Sequence, residues 1–248
     1  MKNLNKQFLA LFAALVLFSN LAIAQTPERN IGLTVVLKPK LGMAYEYDQA
    51  LREYTTTFRK DSAYAVRVTR VTGGPRNGSD VISEPLKTWT ELDATRPYIS
   101  DASARAWQNV LKYCESAQSD FYYYDRKNSN ALPKYSPGNK YVSYVWVVDP
   151  KANEDVLAAE FKKAAQVLKQ AGYHFAITHT LSGNVRYQIQ LQLENGFKDM
   201  DIKMPSYKEV FTKAFSAAAY EKHNAVLQAC SSDFFVEFRS VRTSMSTR

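Results

Sequence analysis

Ser119-Asp120-Phe121-Tyr122-Tyr123-Tyr124-Asp125-Arg126 and Ser232-Asp233-Phe234-Phe235-Val236-Glu237-Phe238-Arg239 open on the same Ser-Asp-Phe and reach an arginine five residues beyond the phenylalanine, 113 residues apart. The stretches before them also match: Val110-Leu111-Lys112-Tyr113-Cys114 resembles Val226-Leu227-Gln228-Ala229-Cys230. Upstream, Lys38-Pro39 answers Asp149-Pro150, and Tyr64-Ala65-Val66 answers Phe175-Ala176-Ile177, each pair 111 residues apart. Self-similarity at so long a period signals a duplicated domain, not a solenoid.

Each copy reads as strand, helix, strand, strand, helix, strand. In the first, Thr34 to Lys38 is β-branched and apolar, a strand signal. Tyr47, Leu51, Tyr54 and Phe58 then fall on one helical face. Tyr64 to Val71 and a less regular stretch from Val81 to Leu92 read as strands around a turn at Gly73 to Gly78. That turn lacks the Lys-Ser/Thr ending of a phosphate loop. Trp107, Val110, Leu111 and Cys114 mark a second helix, and Phe121 to Arg126 a closing strand. In the second copy, Val145 to Val148, the helix of Leu157, Phe161, Ala164 and Leu168, the hairpin Phe175–Leu181 and Tyr187–Leu193, and the strand Phe234–Val241 repeat the order. Ser206 with Glu209 reads as a capping box opening the last helix. This βαββαβ order is the ferredoxin-like pattern. The expected fold is α+β: tandem ferredoxin-like repeats packed sheet to sheet as a pseudo-dimeric α/β barrel with helices outside. The expected boundaries are 25–127 and 140–248 for the repeats, with 128–139 as linker.

Strand side chains alternate between faces. Ile189, Leu191 and Leu193 are expected under the helices, and Gln188, Gln190 and Gln192 on the open face. Thr178 shares that face on the preceding strand. So do Tyr122, Tyr124 and Arg126 on one closing strand and Phe235, Glu237 and Arg239 on the other. This face either meets water or lines a cavity between the sheets. In the second case Arg126, Arg239, Tyr122, Tyr124, Glu237, Gln188, Gln190 and Thr178 are the candidate ligand-binding residues. A buried arginine must be paired, hydrated or bound to a ligand. Glu237 neutralises one; the other favours a carboxylate or polar oxygenated molecule, unless both guanidinium groups reach solvent from strand ends.

Val35-Val36-Leu37-Lys38-Pro39 followed by Tyr47 to Tyr54 resembles the opening strand and helix of the dimeric α/β-barrel superfamily. That group includes antibiotic-biosynthesis-type monooxygenases, NIPSNAP-like proteins and the chlorite dismutase group. The resemblance covers the order of elements through nearly all of residues 25–248. It implies a site enclosed by the barrel halves. Haem-degrading members resemble one another in an Asn on the first strand and a Trp and a His further on; here Thr34–Lys38 and Val145–Asp149 contain no Asn, and Trp89 has no such His after it. No cofactor is therefore expected, haem being the one that the resemblance would allow. Catalytic residues do not carry over.

Lys2 and Lys6, the apolar run Phe8 to Phe18 and Ala22-Ile23-Ala24 compose a signal peptide over residues 1–24. The run is short for a ~30 Å bilayer, which weighs against an anchor. The mature chain is expected to start at Gln25, to be periplasmic or secreted, and to carry no further membrane segment. The net charge is +8, with lysine and arginine scattered through the sequence, which weighs against a nucleic-acid stripe. Cys114 and Cys230 repeat each other and so read as two buried thiols, not a disulfide across a barrel whose helices lie outside. His174, His179 and His223 have no metal-type spacing. His179 aligns with Val68 on the helix side; His174 begins its strand. His223 aligns with Trp107 and reads as a packing residue, with a haem ligand or general base as the alternative. The leading functional expectation is an exported binder of a small polar or anionic organic molecule. Two others fit: a cofactor-independent or haem-dependent oxidoreductase in the same cavity, and a protein interaction module without pocket chemistry. Homo-oligomers are compatible with all three.

Overall fold

A computed structural model describes residues 28–61, 64–94, 100–130, 139–200 and 206–247. The signal-peptide segment and most of the expected linker lie outside the described residues. The first repeat comprises β1 (Ile31–Pro39), α1 (Ala44–Phe58), β2 (Arg67–Gly73), β3 (Asp80–Ser83), α2 (Trp89–Asp93), α3 (Asp101–Lys112) and β4 (Cys114–Tyr124). The second comprises β5 (Lys140–Val148), α4 (Glu154–Gln170), β6 (Phe175–Thr180), β7 (Arg186–Leu193), α5 (Tyr207–Ala214), α6 (Ala217–Ala229) and β8 (Ser231–Val241). Among the described residues no helix is long and apolar enough to cross a membrane.

The eight strands close into one antiparallel barrel in the order β1-β3-β2-β8-β5-β7-β6-β4. Within each repeat the order is that of a ferredoxin-like sheet, with the helices covering its outer face. The two sheets join edge to edge: β2 pairs with β8, and β4 with β6. Closure removes every free edge, which is what a half-barrel of this kind lacks on its own. Gly32 on β1 lets the Tyr122 ring cross the strand closely, since a Cβ there would stand 2.1 Å from the ring.

Three boundaries differ from the expected ones. The irregular strand ends at Ser83, because Glu84 leads into Pro85, which has no N–H to donate; Thr88 and Glu91 then form a capping box that opens α2. β4 starts at Cys114, directly after the α3 C-cap Tyr113, so Cys114 is a strand residue. The expected last helix is two helices. Ser206 and Glu209 cap α5 as expected, but Ser216 caps a second start at α6 by accepting from the Ala219 N–H.

The ladders also correct the register of the repeat. Tyr122 faces Thr180 across β4–β6, and Arg239 faces Val71 across β8–β2. Phe121 faces Leu33 on β1, and Phe238 faces Val142 on β5. Arg239 is thus the counterpart of Tyr122, and Glu237 of Asp120, 117 residues apart. The Ser-Asp-Phe match is a local coincidence that slips four residues. Four is an even number, so the faces deduced from it stand while the pairing of Arg126 with Arg239 does not. The buried helix residues Val110 and Leu227 obey the same 117-residue offset. His223 therefore stands where the first repeat has Ala106, not Trp107.

Candidate functional site

The barrel interior holds most of the expected binding residues, and three of them, Glu237, Arg239 and Gln188, are bonded to one another. Glu237 is fully buried and receives Arg76 at 2.6 and 2.8 Å and Arg239 Nη2 at 2.8 Å. Arg239 also donates to Gln188 Oε1 at 3.4 Å. Burial would lift the Glu237 carboxyl, but the two guanidinium groups hold it below the usual range. At the pseudo-symmetric place Asp120 receives Arg186 at 2.5 Å and the Gln118 amide at 3.1 Å. Each interior acid thus takes an arginine from the other repeat's central hairpin, a cross-brace in which Asp120–Arg186 is neutral while Glu237, shared by Arg76 and Arg239, leaves that cluster a net charge of +1. Tyr122, Tyr124, Thr178 and Gln190 share this interior face by alternation. Arg126 does not: it lies in the turn after β4, exposed, donating to the Arg29 carbonyl at 2.9 Å with its guanidinium 5.8 Å from the Tyr124 ring centroid. It is the solvent-reaching strand-end arginine of the alternative.

A cavity of about 880 Å³ lies on the other side of the second sheet, beneath its helices. None of the eight expected residues lines it. Its floor is the outer face of β5, β7 and β8, including Tyr144, Trp146, Ile189, Leu191 and Phe234; its roof is formed by α4, α5 and α6. Trp146 packs edge-on to Phe161 at 5.1 Å and lies 5.0 Å from the Phe234 ring. Alternation makes this floor apolar, since the residues between point into the barrel.

A polar cluster lines the cavity among these rings. His223 on α6, 1 % exposed, contacts Glu160 Oε2 on α4 through Nδ1 at 2.7 Å and the Tyr207 hydroxyl on α5 through Nε2 at 2.9 Å. Lys163 donates to Glu160 Oε1 at 2.6 Å, and the Phe211 ring stacks on His223 at 4.5 Å. Burial would lift the Glu160 carboxyl, but Lys163 and His223 outweigh it and hold it below the usual range. Burial lowers the His223 imidazole, and Glu160 opposes this without reversing it. Burial also pushes the Tyr207 hydroxyl far up, with Tyr220 and Glu160 adding to the rise. An ionised Glu160 beside a neutral imidazole fixes the tautomer: Nδ1–H donates to the carboxylate, and Nε2 accepts the Tyr207 hydroxyl.

Sequence reasoning weighed His223 mainly as packing, because a register one residue off set it against a tryptophan. Glu160 and Tyr207 were missed. The available signal was Glu160 itself, whose neighbours at one-turn spacing, Leu157 and Ala164, lie on the buried face of α4. The other two histidines lie elsewhere. His179 is on the outer face, 5.1 Å from both the Tyr123 and Tyr187 rings, and His174 approaches Glu194 at 3.4 Å. Both cysteines are buried free thiols, as expected.

The residues suit an axially held haem poorly. His223 is the only histidine among the described residues lining the cavity, and a haem iron would have to displace Tyr207 from Nε2. Among those lining residues the ionisable side chains besides His223 and the tyrosines are Glu160, Asp199 and Asp233, which offer no cation to a propionate.

No family model matches the chain, and no curated protein matches it in sequence. Solved structures do match in fold. An anthrone oxidase-like protein superposes with a TM-score of 0.55 at 9 % identity, over 87 % of this chain and 92 % of its own. A candidate monooxygenase of Fusobacterium nucleatum gives 0.56 at 10 %, over 86 % and 92 %. Another of Lactobacillus acidophilus gives 0.51 at 10 %, over 86 % and 94 %. At such identities the likeness is one of architecture, and with the closed barrel it fixes the fold: the chain folds as a pseudo-dimeric α/β barrel of two ferredoxin-like halves in tandem.

Proposed function

We propose that this is an exported protein that binds a neutral, largely apolar aromatic molecule between the second sheet and its helices. The observation that carries the reading is the cavity itself. It has the size of a small-molecule site, walls of aromatic and aliphatic side chains, and a few convergent polar groups. The acidic residues among its described lining argue against the anionic ligand that the arginines had suggested. Export rests on the positive, apolar and small-residue succession of residues 1–24.

Titration of the purified chain with the neutral dye 1-N-phenylnaphthylamine tests the reading. A saturable rise in dye emission is expected at one equivalent, together with quenching of tryptophan fluorescence through Trp146. Ile189→Trp, which fills the floor, should weaken binding by about tenfold or more. A dye that ignores the chain, or binds the variant equally well, defeats the reading.

An oxidoreductase acting in the same cavity is the second reading, favoured by the His223–Glu160 pair and in keeping with the oxidase- and monooxygenase-like names among the fold's relatives.

A further inference from the structure

We infer that His223, held by Glu160 and reached through the Tyr207 hydroxyl, is a general base for an acidic O–H on the bound molecule, so that the ligands of this cavity are phenols or enols. The inference rests on the cavity being a binding site and adds a chemical role and a ligand class to it.

The argument starts from cost. A buried histidine and glutamate meet a half-buried tyrosine where the counterpart of His223 in the first repeat is a plain alanine, Ala106. Packing alone does not require three polar groups, and each must be satisfied to be tolerated. They are satisfied in one order only. Lys163 and the Nδ1–H bind the Glu160 carboxylate, and Nε2 is left as an acceptor whose partner is the hydroxyl of Tyr207, a residue that lines the cavity. The charged and titratable groups around the imidazole are Glu160 and Lys163 from α4, Tyr207 from α5 and Tyr220 from α6. Only Glu160 is an anion at neutral pH, and it contacts the nitrogen remote from Tyr207. It therefore stabilises an imidazolium formed by protonation at Nε2.

The proton path balances. A ligand O–H donates to the Tyr207 oxygen; as that proton is accepted, Tyr207 passes its own proton to Nε2. The ligand O–H breaks, the tyrosine hydroxyl is re-formed, and an Nε2–H bond is made. The products are a ligand oxyanion and an imidazolium paired with Glu160. Tyr207 itself resists net ionisation, since burial holds its hydroxyl far above neutrality, so it relays and does not store the charge. An imidazole made less basic by burial takes a proton only from an acidic hydroxyl, which selects phenols and enols over alcohols. Trp146, Phe161 and Phe234 supply walls for an aromatic ring.

Spectrophotometric titration with 4-nitrophenol, whose phenolate absorbs visible light, separates the possibilities. Binding is read independently by displacement of 1-N-phenylnaphthylamine. An apolar cavity beside a carboxylate would by itself hold the probe neutral, so that the bound phenol would ionise at a higher pH than the free one. With a base at Nε2 the bound phenol ionises at a lower pH instead, and phenolate colour grows on binding below the free midpoint. In His223→Gln the bound probe should stay neutral throughout that range, and Tyr207→Phe should slow the appearance of colour. Displacement of the dye by a probe that stays colourless in the parent protein overturns the base while leaving the cavity reading intact. Failure of both dye and probe to bind overturns the two together.

Discussion

The two repeats share strand order and helix placement, yet the second carries a cavity beside its buried cluster, while beneath the helices of the first the described residues form a packed cluster. Beneath α1 and α3 the first repeat packs Leu37, Tyr47, Leu51, Val68 and Val110, and the C-terminal tail adds Met245, fully buried, to the same cluster. The tail is fastened to β2 and to the residue before it: Arg242 N–H donates to the Val68 carbonyl, Thr247 N–H to the Val66 carbonyl, and Val66 N–H to the Thr247 hydroxyl. Arg242 also binds Asp48 at 2.5 Å and Asp80 at 2.7 Å. The second repeat has its own buried cluster, including Leu157, Phe161 and Leu168, and carries the cavity and the His223 cluster beside it.

Deleting residues 242–248 attacks the difference most directly. It removes a buried methionine and strips Asp80, whose side chain is wholly inaccessible, of one of its two arginines. A loss of about 5 kcal/mol or more is expected in chemical denaturation. Any folded remainder should bind a second equivalent of 1-N-phenylnaphthylamine, because the first repeat would then be hollow too. A shortened chain with unchanged stability would show that the tail is not part of the core.

The interior acids come next. Glu237→Gln leaves two arginines facing one another and should cost about 3–5 kcal/mol. Asp120→Asn leaves one and should cost less, on the order of 2–3 kcal/mol. Equal losses would contradict the unequal pairing of the two pseudo-symmetric sites. Overpacking then separates filled from empty space. Leu51→Trp in the solid half should cost about 1–3 kcal/mol, whereas Ile189→Trp in the hollow half should cost less than about 1 kcal/mol.

The smallest effect is set by pH. All three histidines belong to the second repeat. Burial lowers His179 and His223 below the ordinary 6.5, so the unfolded chain binds these protons first. Stability therefore falls as pH drops below 6.5, down to the folded values. Glu84, Glu160 and Glu237 are held low, so their stabilisation is present above 4.5 and is lost only further down. Hydrogen exchange should report early acid loosening in the second repeat alone; loosening that begins in the first would contradict the histidine assignment.

Most of the fold was legible in the sequence because strand alternation and helical spacing survive small errors of register. The faces of β4 and β8 came out right although the Ser-Asp-Phe match slipped by four residues, an even shift. The site was not legible for the same reason turned round. An open sheet face lined with arginine and glutamine looks like a pocket until cross-repeat ion pairs such as Arg186–Asp120 are seen to fill it, and no local pattern announces those. The cavity lies on a face whose residues, Ile189, Leu191 and Leu193, read as ordinary core. The last helix divides at Phe215 and Ser216 into two helices that both line the cavity, and a helical period running across such a break conceals it.

The central claim is that ligand enters under the helices of the second repeat and not the barrel interior. Methyl-labelled NMR during titration with 1-N-phenylnaphthylamine tests it most directly. Shifts are predicted at Leu168, Ile189, Leu191 and Leu227, with Val36, Val81 and Val145 inside the barrel unmoved. Shifts centred on those three valines, with the second-repeat helix methyls silent, would contradict it.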